Sequence, residues 1–249
     1  MTRVRMAVAP RFGRERLFRA FTRLLLRGRV AAGPFRGMKY VSASVGSAFL
    51  PKIFGTYERE LWPALEQWRR AQLPEAIVIG AAEGYYAVGL LFSKVVCSVT
   101  AYESEAAGRD LCVALARKNQ VDGALKVFGA CDETRLIELV QSSPARTFGL
   151  LVDIEGGEAA LFNPDVVAHL RRAYLIVELH ENLAPGVTEL LAKRFARSHT
   201  IEVLSFGRRG DPVLEGSAVL FKVWPDRYRQ LLMNEIRDDG CAWMVLQPR

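Results

Sequence analysis

From Ala76 onward, short apolar runs alternate with segments of helical period, the pattern of a parallel α/β sheet. The pattern predicts strands at Ala76–Ile79, Val95–Tyr102, Lys126–Ala130, Phe148–Ile154 and Tyr174–Leu179. It predicts helices after them at Tyr85–Ser93, Ala106–Asn119, Glu133–Gln141, Asp165–Arg171 and Val187–Ala196. Two closing runs, Thr200–Phe206 and Ala218–Val223, flank the turn-rich Gly207–Pro212. Five strand-then-helix units followed by two strands on a tight loop predict a Rossmann-like α/β fold. Its seven-stranded sheet is mostly parallel, with an antiparallel edge strand.

Upstream, residues 57–72 carry Leu61, Leu65 and Trp68 on one helical face, with Pro63 near the start and Pro74 beyond the end. Residues 38–52 are mixed and hold Ser42, Ser44 and Ser47. Residues 14–30 read as a basic amphipathic helix. Leu17, Phe21, Leu24 and Leu25 form its apolar stripe, interleaved with Arg16, Arg19, Arg23 and Arg27. Such a helix either docks on the domain with its arginines solvated, or contacts an acidic partner or membrane surface. The expected division is an N-terminal basic extension over residues 1–53 and a main α/β domain over residues 54–249.

Charge sharpens this division. Residues 1–40 hold eleven Arg and Lys against the single acid Glu15, and the rest of the chain holds 23 basic against 26 acidic residues. The net charge of +7 therefore belongs to the arm. A nucleic-acid-binding fold is not implied, because no aromatic residues are grouped there for base stacking. Half of the 249 residues are apolar, enough for one sizeable core. No run approaches the ~20 apolar residues of a membrane span. Cys97, Cys112, Cys131 and Cys241 form no Cys-x-x-Cys pair, which suits reduced thiols. The expected location is the cytoplasm, with peripheral contact at the inner face of the membrane if residues 14–30 bind lipid.

Ligands of such sheets bind beyond the carboxyl ends of the strands. The first predicted strand runs into Gly80-Ala81-Ala82-Glu83-Gly84 and then Tyr85, a tight turn before a helix. The next ends at Glu103, where a ribose-binding carboxylate would sit. The third ends near Asp132, the fourth in Asp153-Ile154-Glu155 and the fifth in Glu178-Leu179-His180. Side chains two apart on a strand share a face, so Asp153, Glu155, Glu178 and His180 converge if these strands are neighbours. Two chemistries suit the cluster. His180 or a carboxylate could act as general base, or Asp153, Glu155 and Glu178 could hold Mg²⁺ or Ca²⁺.

Several ordered motifs resemble the FkbM-type branch of the class I S-adenosylmethionine-dependent methyltransferases, over roughly residues 54–225. The family's Asp-Ile-Gly-Ala-Asn-x-Gly-Tyr-Tyr loop is similar to Val78–Tyr86, and its Phe-Glu to Tyr102-Glu103. Its Asp-x-Glu-Gly-x-Glu resembles Asp153–Glu158, and its Glu-x-His resembles Glu178–His180. Asn119 and Gly55-Thr56-Tyr57-Glu58 also match. Val78 and Ala82 depart from the pattern, standing where the family has Asp and Asn.

The resemblance implies S-adenosylmethionine as cofactor. Glu103 would bind the ribose hydroxyls. The Gly80–Gly84 loop, with Ala81, Glu83 and Tyr85, would lie near the methionine portion, and Asp132 near the adenine. Tyr57, Glu58 and Asp153 would complete the cofactor site. His180 would take the proton of the acceptor hydroxyl, with Asp153 and Glu155 orienting it or holding a cation. The implied activity is O-methyl transfer to a sugar, glycolipid or secondary metabolite, so the partner is a small-molecule or glycan acceptor. The alternative is a non-catalytic binding or scaffold protein that keeps the fold. A nicotinamide dinucleotide enzyme is disfavoured, because the glycine spacing is not Gly-x-Gly-x-x-Gly.

Overall fold

The computed structural model describes residues 20–41, 48–143, 147–205, 235 and 241–249. One seven-stranded sheet organises them, in the order β3-β2-β1-β4-β5-β7-β6. Its strands are β1 (Glu75–Ile79), β2 (Ser98–Tyr102), β3 (Leu125–Phe128), β4 (Phe148–Val152), β5 (Ala173–His180), β6 (His199–Ser205) and β7 (Cys241–Pro248). The first five pair in parallel. The helices are α1 (Phe49–Phe54), α2 (Trp62–Arg70), α3 (Tyr85–Phe92), α4 (Ala106–Asn119), α5 (Glu133–Ser142), α6 (Glu158–Leu161), α7 (Pro164–His169) and α8 (Val187–Phe195).

Strand alternation builds two cores, one on each face of the sheet. Along β1, Ala76 and Val78 join one core with Trp68, Tyr85 and Val88. Ile77 and Ile79 join the other with Phe162, Leu191 and Phe195. A strand buried on both faces must be apolar throughout, which is why β1 and β4 read as unbroken runs.

Four expectations need correcting. The antiparallel strand is not at the edge: β7 lies between β5 and β6, antiparallel to both, and β6 forms the edge. β7 is Cys241–Pro248, whereas Ala218–Val223 lies outside the described residues. Val95 and Val96 precede β2 rather than belong to it. They are buried in a turn, and pairing with β1 begins only at Ser98 opposite Glu75. The mixed segment before residue 54 ends in a helix, α1, whose six residues are all buried.

The described part of the N-terminal segment packs against the sheet domain. Val30, Phe35, Met38, Tyr40 and Ile53 share a core cluster with Val78 and Val88, so residues 53 and 54 mark no break in packing. Residues 20–25 are helical, as expected, and residues 14–19 lie outside the described residues. The apolar stripe there does not face the domain. Thr22 is buried, while Phe21, Leu24 and Leu25 are 52%, 78% and 41% exposed. Among the described residues, no helix is long and apolar enough to cross a membrane.

Candidate active site

The sheet order reverses direction between β1 and β4, and the clustered polar residues lie at the carboxyl ends of the strands around that switch point. Gly80 follows β1 with φ +83°, and a Cβ there would come within 1.7 Å of the Asp153 carbonyl oxygen. Only glycine lets the first loop pass this close to the end of β4. Ala82 also has positive φ, +48°, and Gly84 opens α3 at φ +93°. A left-handed alanine costs about 1–2 kcal/mol unless the surroundings hold it there.

Two acids hold that loop. Glu103 accepts hydrogen bonds from Ala82 N at 2.7 Å and from Glu105 N at 2.8 Å, one on each oxygen. Oε1 also accepts a long contact from the Ser104 hydroxyl at 3.5 Å, and Oε2 keeps a further lone pair, so the carboxylate still suits a ligand hydroxyl such as a ribose's. Glu83 is fully buried. Its carboxylate is engaged by Lys52 Nζ of α1 at 2.5 Å and by the Tyr40 hydroxyl, rather than presented at the loop surface. Lys52 is itself buried, with its ammonium 4.9 Å from the Tyr57 ring centroid. The resemblance gave no hint of Lys52 or Tyr40. The sequence carried no signal for either, since their partner Glu83 lies 31 and 43 residues away.

The other expected cofactor residues divide. Ala81 is buried in the loop. Tyr57 and Tyr85 are buried and pack edge-to-face at 5.4 Å, so their rings are core. Glu58 is buried with φ +50° and accepts from the Tyr86 hydroxyl. Its amide donates to Glu235 at 2.9 Å. Asp132 caps α5 by accepting from Arg135 N at 2.8 Å, and it lies beyond β3 beside the exposed Phe128. These placements leave Glu103 and the Gly80–Gly84 backbone as the best-placed groups of that set for a ligand.

The second cluster forms as expected. β4 and β5 are neighbours, with Val152 paired to Val177, so Asp153 and Glu178 emerge side by side. His180 is buried and its Nδ1 lies 2.7 Å from Glu158 Oε1. Its Nε2 faces Glu155 at 3.6 Å and Asp153 and Glu178 at 3.9 Å each. Glu155 sits at φ +53°, immediately before the left-handed Gly156, in the turn that leads into α6. That turn aims Glu158 inward, where its Oε1 also accepts from Gly156 N. Glu158, absent from the expected catalytic set although its spacing from Asp153 was in the motif, is the acid that meets His180 Nδ1.

Electrostatics separates the members. Burial raises the Glu178 carboxyl to about 12, with the Asp153 charge and the hydrogen bond between them adding to the effect. Asp153 is also raised, chiefly by burial. Glu178 is thus the member that holds a proton for the pair. For His180, burial favours the neutral ring, but the Glu158 hydrogen bond and the charges of Asp153, Glu158 and Glu155 outweigh it, and the net shift is upward. Among the described residues, two overlapping donor sets could hold a cation. One is Asp153, Glu155 and His180, and the other is Glu178, His180 and Cys241. Cys241 stands opposite His180 on β7.

No family model matches the chain. No curated protein sequence matches it. Solved structures do. The human methyltransferase 10 domain containing protein is 12% identical with a TM-score of 0.51, over 93% of this chain and 95% of that one. The METTL16 MTase domain is 12% identical with a TM-score of 0.53, over 92% and 78%. A delta-N METTL16 MTase domain is 12% identical with a TM-score of 0.54, over 93% and 95%. At this identity the likeness is one of fold, and the fold is the Rossmann-like fold of the class I methyltransferases.

Proposed function

We propose that this protein is an S-adenosylmethionine-dependent O-methyltransferase of the FkbM type. Its acceptor is a hydroxyl of a sugar, glycolipid or secondary metabolite. The observation that carries the proposal is the juxtaposition of two differently tuned clusters at one switch point. The Glu103 carboxylate beside the Gly80–Gly84 backbone suits a nucleoside. The His180 ring, oriented by Glu158, suits proton removal from a hydroxyl.

In this reading S-adenosylmethionine supplies the electrophilic methyl group. Glu103 would hold the ribose, and the Gly80–Gly84 backbone would hold the amino-acid end. Asp153 and Glu155 place negative charge near the cation and near His180. His180 Nε2, with Nδ1 held by Glu158, would take the acceptor hydroxyl proton, and positioning of the acceptor would supply much of the catalytic work. The expected cation set of Asp153, Glu155 and Glu178 is not the one brought together: both converging donor sets include His180, so a cation there would compete with its role as base.

The N-terminal helix would contact an anionic membrane surface. Its exposed Leu24 and Leu25 and the absence of any acid between Glu15 and Glu58 support this. A lipid-linked glycan acceptor would then lie close to the site, on the cytoplasmic face. The alternative, a non-catalytic module, draws on Val78 and Ala82, which offer a cofactor no side-chain polar group.

Incubation with methyl-labelled S-adenosylmethionine and a panel of glycolipids and polyhydroxylated metabolites tests the function. Label should move to a hydroxyl oxygen in the wild type and not in His180→Ala. Tight cofactor binding with no transfer to any acceptor class would favour the non-catalytic module.

A further inference from the structure

We infer that the buried Lys52–Glu83 ion pair positions the cofactor loop, making α1 of the N-terminal segment a working part of the cofactor site. The inference rests on the reading of the Gly80–Gly84 loop as a cofactor cradle.

The geometry concentrates on two adjacent residues. Ala82 is held in a left-handed conformation with its amide on Glu103, from the β2 side. Glu83, the next residue, is held from the opposite side by Lys52 Nζ at 2.5 Å and the Tyr40 hydroxyl. Gly84 then turns directly into α3. The loop is therefore clamped between the end of β2 and the N-terminal segment, Lys52 lying 31 residues and Tyr40 43 residues before Glu83 in the chain.

The pair is an unusual choice for a structural role alone. Desolvating two charges commonly offsets most of their attraction, and apolar replacements of similar volume are often neutral or stabilising. What a buried pair fixes well is one geometry, because a misplaced partner leaves a bare charge in the core. A fixed geometry is what this loop needs. It has alanine at a left-handed position where asparagine adapts more readily, and its neighbour Val78 offers no hydrogen bond. Lys52 and Tyr40 thus act on the cofactor through Glu83 and the loop backbone, as positioning residues that touch no substrate.

The test is titration with S-adenosylhomocysteine of the full chain and of the double variant Lys52→Met/Glu83→Leu, which removes both charges and keeps the volume. The double variant should keep the wild-type melting temperature yet bind at least about tenfold more weakly, the scale of a small misplacement. Adding Ala82→Asn, which favours the left-handed conformation, should recover most of the loss. Should the double variant not fold, Glu83→Gln keeps the shape without the charge and should weaken binding by at least about threefold. Wild-type binding together with unchanged affinity in the folded variant, or in Glu83→Gln, would overturn the inference and leave the cofactor reading intact. No binding by the wild type would remove both.

Discussion

The fully buried Glu158 carboxylate lies 2.7 Å from Nδ1 of His180. A carboxylate only accepts, so Nδ1 carries the proton and the neutral ring keeps its lone pair on Nε2, facing the cleft acids. His180→Ala should keep cofactor affinity and lower turnover by roughly 10²–10⁴. The base works deprotonated, and its pKa is raised in the folded protein. Activity should therefore rise with pH through an apparent pKa above the ordinary histidine value. Glu158→Gln removes the charge that raises it and should move the rising limb of kcat/KM to lower pH. A limb that stays in place would assign the titration to another group.

Glu178 makes a prediction about stability. Its folded-state pKa lies far above the unfolded carboxylate value, at about 12. Such a group contributes stability fully below the unfolded pKa and loses it as pH rises toward the folded one. At neutral pH the carboxyl stays protonated in the fold while the unfolded chain would ionise, so the site lowers stability. Glu178→Gln should stabilise the protein by on the order of 3 kcal/mol near pH 7. The gain should grow with pH and disappear below about pH 4.5. A pH-independent difference in melting temperature would show that Glu178 is ionised in the fold.

Glu103 joins the loop to the proposed ribose site. Glu103→Ala should weaken S-adenosylhomocysteine binding by roughly 1–3 kcal/mol, the cost of losing hydrogen bonds to a charged group. Calorimetric titration measures it. Undiminished affinity would show that the ribose lies elsewhere.

The exposed stripe on the N-terminal helix predicts binding to anionic vesicles. The full-length protein should sediment with phosphatidylglycerol-containing vesicles more than with phosphatidylcholine alone, and high salt should reverse this. Leu24→Ser/Leu25→Ser should reduce the bound fraction with little change in stability, since Leu24 is 78% and Leu25 41% exposed. Equal sedimentation with both vesicle types, or with neither, would mark the stripe as a protein contact.

The parallel half of the sheet was legible because β1, β4 and β5 are buried on both faces and so read as apolar runs. Asp153, Glu178 and His180 were legible for the same reason, since each ends a run at a strand tip. The position of β7 was not. An antiparallel strand inserted between β5 and β6 depends on pairing remote in sequence, which local pattern does not encode. The orientation of the N-terminal helix stayed open for a related reason. An apolar stripe specifies amphipathicity, and its periodicity is the same whether the stripe faces a core or solvent. Lys52 was missed because a lysine is ordinarily exposed, and only its distant partner Glu83 explains its burial.

The central claim is that the Gly80–Gly84 loop and Glu103 bind S-adenosylmethionine. Calorimetric titration of the purified protein with S-adenosylhomocysteine, with Mg²⁺ and with a chelator, tests it most directly. Saturable one-to-one binding in the micromolar range is expected, and an affinity dependent on Mg²⁺ would assign the Asp153–Glu155 cluster to a cation. No heat of binding in either condition would contradict the claim, and would mark the protein as a non-catalytic module built on a methyltransferase fold.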